Sequence, residues 1–197
     1  MRLSWSGLEP SDATIRFYEA VWPYRTDVLR AALMQTGNSA DAEDLAQETF
    51  LKAFRAMDTF RAGVSAKAWL LTILRNTRID RLRTIAGSSR HVSLEEMASE
   101  PAVPDSIQES NSDAAWQSPE EALSAFSDEN VIEALQELAE ELRWTLLLVD
   151  VEGIDHREAA EILGVPVGTI KSRVHRGRAL LRHALLPMAR QRRLVRD

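Results

Sequence analysis

The 197 residues include no cysteine, so neither a disulfide framework nor a thiolate metal site can be built. Aromatic residues are scarce, at 6% of the chain. No uncharged apolar run approaches the roughly 18 residues of a membrane span; the longest are AWLLTIL and WTLLLV. The opening MRLSWSGLEPSD lacks a basic stretch followed by an apolar one, so no secretory leader is expected. A soluble, cytoplasmic protein without membrane insertion is the expectation. There is no Gly-rich phosphate loop and no nucleophile motif. The histidines at 91, 156, 175 and 183 lack metal-ligand spacing. The chain therefore reads as a non-enzyme with no cofactor and no metal.

Positive charge is missing from one long stretch. His91 to Glu141 holds 14 acidic residues and no Lys or Arg, although the whole chain is only −6. Both ends are mildly basic. Arg61 to Arg90 carries seven basic residues against Asp80 alone, and GVPVGTIKSRVHRGRALLR at 164–182 carries five with no acidic residue. Two basic patches thus flank an acidic middle, which makes a polyanion such as nucleic acid a natural partner.

β-Alternation of useful length is also absent, and the periodicity is helical. TIRFYEAVWPYRTDVLRAALMQTG places Ile15, Tyr18, Trp22, Val28, Leu29, Ala32 and Leu33 at helical spacings, bends at Pro23 and stops at Gly37-Asn38. In 40–57, Leu45, Phe50, Ala53, Phe54 and Met57 point to a core, with Asp41, Asp44 and Glu48 on one outer face. A third helix over 66–83 sets Trp69, Leu70, Ile73 and Leu74 inward and Arg75, Arg78 and Arg81 outward. The Ser-, Glu-, Asp- and Pro-rich stretch that follows reads as a flexible acidic linker. It ends at Ser118-Pro119-Glu120-Glu121, where a cap and an N1 proline announce a helix. The expected fold is all-α: two small helical domains at 10–84 and 119–187, a linker at 85–118 and a basic tail at 188–197.

GIDHREAAEILGVPVGTIKSRVHRGRALLR has the anatomy of a helix-turn-helix. Asp155 caps the first helix with Glu158 completing a capping box. Gly164 supplies the positive φ of the turn, and Pro166 starts the second helix. There Ile170, Val174, Gly177 and Leu181 form the inner stripe, leaving Ser172, His175, Arg176 and Ala179 pointing away. Lys171, Arg182 and Thr169 flank that face, and Arg173 lies beside the stripe. An apolar back with a front of Lys, Ser, His and Arg suits the major groove.

LGVPVGTIKSRVHRGRALLR resembles region four of the bacterial sigma-70 family of transcription factors, especially the extracytoplasmic-function class. DAEDLAQETFLKAFRAMDTFRAG with AWLLTILRNTRIDRLR resembles the family's region two. The resemblance implies binding to core RNA polymerase, recognition of the −35 and −10 promoter elements, and help in opening the duplex. On its terms Thr169, Lys171, Ser172, Arg173, His175, Arg176 and Arg178 meet the −35 element. Arg61, Lys67, Arg75, Asn76, Arg78 and Arg81 meet the −10 strand, with Thr59 to Ala66 as the loop that captures a flipped base. Asp41, Asp44, Gln47 and Glu48 dock on the clamp coiled coil of the largest polymerase subunit, and region four meets the flap. Further partners implied are promoter DNA and an anti-sigma factor. Trp69 reads as core, and Phe60 as either core or stacking platform. The linker is either a solubilising tether or a nucleic-acid mimic in the polymerase cleft. Ala139 stands where the family commonly has Pro, and Trp144 is unusual. The competing reading is a stand-alone helix-turn-helix regulator, but 14–83 offers no strand–helix alternation for a receiver domain.

Overall fold

A computed structural model of the chain describes residues 12–61, 63, 65–88 and 128–191. Helices α1 (Asp12–Ala20), α2 (Arg25–Thr36), α3 (Ser39–Arg55) and α4 (Ala66–Ser88) form the N-terminal half. Helices α5 (Asp128–Gln136), α6 (Glu140–Leu146), α7 (His156–Leu163) and α8 (Val167–Gln191) form the C-terminal half. Of the expected linker, 85–88 belong to α4 and 89–118 lie outside the described residues, as do the helix start at Ser118-Pro119 and the end of the basic tail.

The punctuation acts where the sequence puts it. Pro23 sits in a short 3-10 turn, Trp22–Tyr24, between α1 and α2. Gly37 closes α2 in the left-handed conformation, φ +79°, its amide donating to the Leu33 carbonyl at 2.8 Å. Asn38 caps α3 reciprocally: its Oδ1 accepts from the Asp41 amide at 2.9 Å, and its Nδ2 donates to the Asp41 carboxylate at 2.7 Å. Helix α4 runs five residues past the expected end at 83, since neither Pro nor Gly interrupts 66–86. After α6 a π turn, Leu147–Val151, precedes Gly153 at φ +68°.

Faces are chosen differently from the periodic reading in α1 and α3. Phe17 and Val21 enter the core, while Ile15, Tyr18, Trp22, Leu29 and Phe54 stay substantially exposed. Phe17 is ringed edge-on by Tyr18, Phe50 and Phe54 at 5.4–6.4 Å between centroids, so one aromatic enters and its neighbours cover it. In α4, Leu70, Leu71 and Leu74 are fully buried; Trp69 is half-buried, its ring 5.0 Å from that of Phe60.

The two halves do not hang apart on a tether. α2 packs against α5 and α6, and α4 packs against α7. One apolar cluster runs from Val28, Leu45 and Leu74 through Trp144 and Leu148 to Ile162 and Ile170. A second joins Val131, Leu135, Leu138, Leu142 and Leu146 to Leu185 and Ala189.

Charge braces the N-terminal half. Arg81 of α4 reaches across to α3, donating to Glu48 at 2.7 Å and to the Asp44 carbonyl at 2.8 Å. Lys52 bridges Glu48 at 3.2 Å and Asp80 at 3.1 Å. Partial burial opposes the Glu48 charge, but the hydrogen bonds from Arg81 and Lys52 outweigh it and hold the carboxyl below its usual range. Asp44, one turn earlier, is exposed. Asp44→Lys should therefore leave the thermal midpoint near that of the parent. Glu48→Lys, which adds a third cation beside Arg81 and Lys52, should lower it. A depressed carboxylate stabilises the fold above its unfolded value, roughly pH 4.3, and that contribution disappears as pH falls through the folded value. Urea titrations at several pH values should accordingly show a shallower acid-side loss for Glu48→Gln. Separately, Ala139 caps α6 with φ −55°, the value proline imposes. Ala139→Pro should raise the unfolding free energy by about 0.4–1 kcal/mol through the unfolded chain, and a fall in the same titration would contradict that account.

Candidate nucleic-acid interface

Helix α7 begins because Asp155 Oδ1 accepts from the Arg157 and Glu158 amides at 2.8 and 2.9 Å. Those two backbone bonds hold the Asp155 carboxyl below its ordinary range. Glu158 does not complete the box. Burial pushes its carboxyl up, and so does repulsion from Asp155 and Glu161; the cap is one-sided. Gly164 makes the turn at φ +69°. The Pro166 carbonyl then accepts from Thr169 and Ile170 to start α8.

On α8, Ile170, Val174 and Gly177 are buried as the spacing requires. At Gly177 the backbone comes so close to α6 that a Cβ would lie 3.0 Å from the Leu146 side chain. Lys171, Ser172, His175 and Arg178 are exposed; Thr169, Arg173 and Arg176 are half-buried. Arg176 thus departs from the outward position expected of it, and its Nε is shielded from solvent. The reason lies one turn on, where Leu180 packs into the core of α5 and α6 and draws that flank of α8 inward. Arg178 is half-exposed, yet its Nε and Nη2 hold both oxygens of Asp150 at 3.1 and 2.5 Å. Those bonds keep its guanidinium above the usual range against partial desolvation. Asp150 sits in the π turn, so this pair fastens α8 to the end of α6.

The residues expected to meet the −10 strand divide. Arg61 and Asn76 are exposed. Lys67 Nζ pairs ionically with the Glu152 carboxylate and donates to the Glu152 carbonyl, and Arg75 Nη2 donates to the Leu163 carbonyl at 3.3 Å. Arg81 is bonded to Glu48. Desolvation pushes the Arg75 guanidinium down, Glu140 opposes this, and neighbouring Arg173 adds to it. Burial likewise lowers Arg143, against Glu140 and with the help of Arg78. The two cationic patches, far apart in sequence, meet along one seam between α4 and the helix-turn-helix. Of the loop Thr59 to Ala66, residues 62 and 64 lie outside the described residues.

On α3, Asp41, Asp44 and Gln47 are exposed, Asp41 bound to its cap and Glu48 to Arg81 and Lys52. The same face continues into Leu51, 57% exposed, and Phe54. Sequence reasoning missed Leu51, although its spacing of three, four and seven from Glu48, Gln47 and Asp44 was available as a signal. Glu152 and Asp150 were missed too, and no local pattern marks them. Among the described residues no group of three acidic, His or Cys side chains could hold a metal ion, and no helix is long and apolar enough to cross a membrane.

Comparison with known proteins agrees with this geometry. Residues 20–87 match the family described as Sigma-70 region 2, and residues 128–181 match Sigma-70, region 4. The RNA polymerase sigma-H factor of Pseudomonas aeruginosa is 30% identical over 172 residues, covering 87% of this chain and 86% of that one. The ECF RNA polymerase sigma factor SigW of Bacillus subtilis is 31% identical over 180 residues, covering 86% and 88%. SigE of Mycolicibacterium smegmatis is 32% identical over 167 residues, but this chain spans only 60% of its length. Among solved structures, the sigma factor RpoE bound to the anti-sigma factor NepR, from Bartonella quintana, superposes with a TM-score of 0.63 at 26% identity, over 86% of this chain and 96% of that one. CnrH bound to the cytosolic domain of CnrY gives 0.56 at 25%, over 87% and 88%. With both regions present in order and near-complete relatives at this identity, the chain belongs to the sigma-70 family, in its extracytoplasmic-function class.

Proposed function

We propose that the protein is an alternative sigma factor, which binds core RNA polymerase and directs initiation at promoters read through −35 and −10 elements. The observation that carries this is a helix-turn-helix with an open polar face on α8, in one chain with a second cationic helix, α4. A stand-alone regulator needs only the first. The names of the relatives add that proteins of this likeness act with RNA polymerase. Two solved neighbours are held by an anti-sigma factor or a cytosolic domain, which favours such a partner here. The protein acts without catalysis of its own, in the cytoplasm where the polymerase works.

In this reading Asp44, Gln47 and Leu51 offer the clamp coiled coil an acidic ridge with an apolar flank, while Glu48 holds the ridge in place. Region four turns to the flap and to DNA. Lys171, Ser172 and His175 meet base edges because they are exposed on the first turns of α8 and tied to no other helix among the described residues. Thr169, Arg173 and Arg176 lie lower and meet phosphate, contributing affinity without sequence information. Arg178 acts through Asp150 as a brace. Arg61, in the loop before α4, and Lys67, Arg75, Asn76 and Arg78 on α4 lie along the path of the opened −10 strand, with Arg81 behind them.

Run-off transcription with purified core polymerase, on the promoter upstream of the protein's own gene, tests the function. Transcripts should require both components, and Asp44→Lys should abolish them without loss of helical signal. DNA binding that is specific and complete without polymerase would instead mark a stand-alone regulator. Binding of core plus factor to single-base −35 variants at two salt concentrations tests the residues. His175→Ala or Lys171→Ala should change the ranking of variants, a good side-chain–base pairing being worth about 1–3 kcal/mol. Arg173→Ala should weaken all variants alike and reduce the salt slope by about one. Arg178→Ala should lower the thermal midpoint as well as affinity. A ranking changed by Arg173→Ala alone would overturn this orientation of α8.

A further inference from the structure

The least exposed charge among the described residues belongs to neither DNA-facing helix. Glu152 follows the π turn in the C-terminal half, and its side chain has 0% exposure. Its Oε1 accepts from Arg30 Nη2 at 2.9 Å and Nε at 3.3 Å. Its Oε2 lies 2.5 Å from Lys67 Nζ, which also donates to the Glu152 carbonyl at 3.1 Å. Arg30 is on α2 and Lys67 on α4, so both cations come from the N-terminal half. Burial works against the Arg30 charge, yet Glu152 and Asp27 together keep its guanidinium above the ordinary value.

We infer that Glu152 is a latch that holds the free protein closed, its two halves face to face, and that it competes with nucleic-acid phosphate for Lys67. A buried carboxylate stays ionised only with cations and donors at its oxygens. Here those groups exist only while the halves touch. If the halves part, Glu152, Arg30 and Lys67 all return to water, so the C-terminal half loses no internal bond to this side chain. Closure depends on Glu152 more than Glu152 depends on closure. Without its charge, Lys67 loses its ion-pair partner and Arg30 keeps only Asp27, 2.7 Å from its Nη2, on its own helix.

Like charges also meet along the same seam, offset by Glu140. Arg75 lies beside Arg173 and Arg78 beside Arg143, with Glu140 as the carboxylate that both Arg75 and Arg143 feel. Two hydrogen bonds to backbone carbonyls help to hold the seam shut: Arg75 to Leu163, and Gln136 Nε2 to Met34 at 2.8 Å. A strand that places phosphate at Lys67 and Arg75 therefore replaces Glu152 at one and the Leu163 carbonyl at the other. Binding and opening are coupled in sign. This second half of the inference rests on the proposed role of α4 at the −10 strand; the first half does not.

The chain has no cysteine, so two can be introduced for dyes in the full-length protein, at exposed Asp58 and exposed Glu161. Single-molecule energy transfer should show one high-transfer population in this parent. Glu152→Gln should shift it to a lower, broader one, with far-UV helical signal retained. Arg30→Gln changes the opposite half and should do the same, and it decides the matter if Glu152→Gln fails to fold. Unchanged transfer in the folded variants would overturn the latch. A single-stranded oligonucleotide of the −10 non-template sequence should bind Glu152→Gln more tightly, by about 5-fold or more if the closed state dominates the parent. Lower transfer with unchanged oligonucleotide affinity would keep the latch and overturn the competition for Lys67. Loss of polymerase-dependent transcription in the parent would instead strike the proposed function and leave the latch standing.

Discussion

A carboxylate removed from water must have positive charge at its oxygens, and in this protein the charge arrives from the far side of a seam. Glu152 and its partners, Arg30 and Lys67, tie α2 and α4 to the segment that leads into the helix-turn-helix. Around that point the apolar cluster becomes continuous, from Val28 and Leu74 to Leu148 and Ile162. The arrangement brings the two helical domains that composition suggests into contact with each other. It also decides which cations are open to a partner and which are already occupied.

That occupation recurs. Arg81 belongs by sequence to a DNA-facing row, but its guanidinium spans to Glu48 and the Asp44 carbonyl. Arg178 belongs to the recognition helix, but it is bound to Asp150. In each case a basic residue on a nominal binding surface fastens one helix to its neighbour. Pairs as sheltered as these, with Asp150 only 12% exposed, contribute modestly to stability one at a time. Their effect is to fix where the remaining open side chains stand.

Much of the fold was legible because its signals are local. Pro23, Gly37, Asn38, Asp155 and Gly164 each act within a few residues, and each marks a helix end at its own position. The inner stripe of α8 was legible for the same reason. Periodicity fared worse where two faces were both apolar. In α1 it favoured Tyr18 and Trp22, whereas Phe17 and Val21 are buried, because the choice is made by Phe50 and Phe54 from another helix. Arg176 was misjudged for a related reason: an ideal wheel has no neighbours, and Leu180 packing on α5 and α6 turns that flank inward. The seam was not legible at all. Arg30 and Glu152 are 122 positions apart, and nothing in either neighbourhood marks the other.

Helix α8 is the longest element described, 25 residues, or about 37 Å at 1.5 Å per residue. Its first turns carry the open polar face, and its last turns, at Leu185 and Ala189, are clamped by α5 and α6. No loop separates the two ends. The helix is therefore a lever whose handle is held by the helices that also lean on α2. A tilt of about 5° at the clamped end displaces Thr169, about 24 Å away, by about 2 Å, more than half the spacing of one base pair. Small rearrangements of the packed end are thus felt by the polar tip as a shift along a groove.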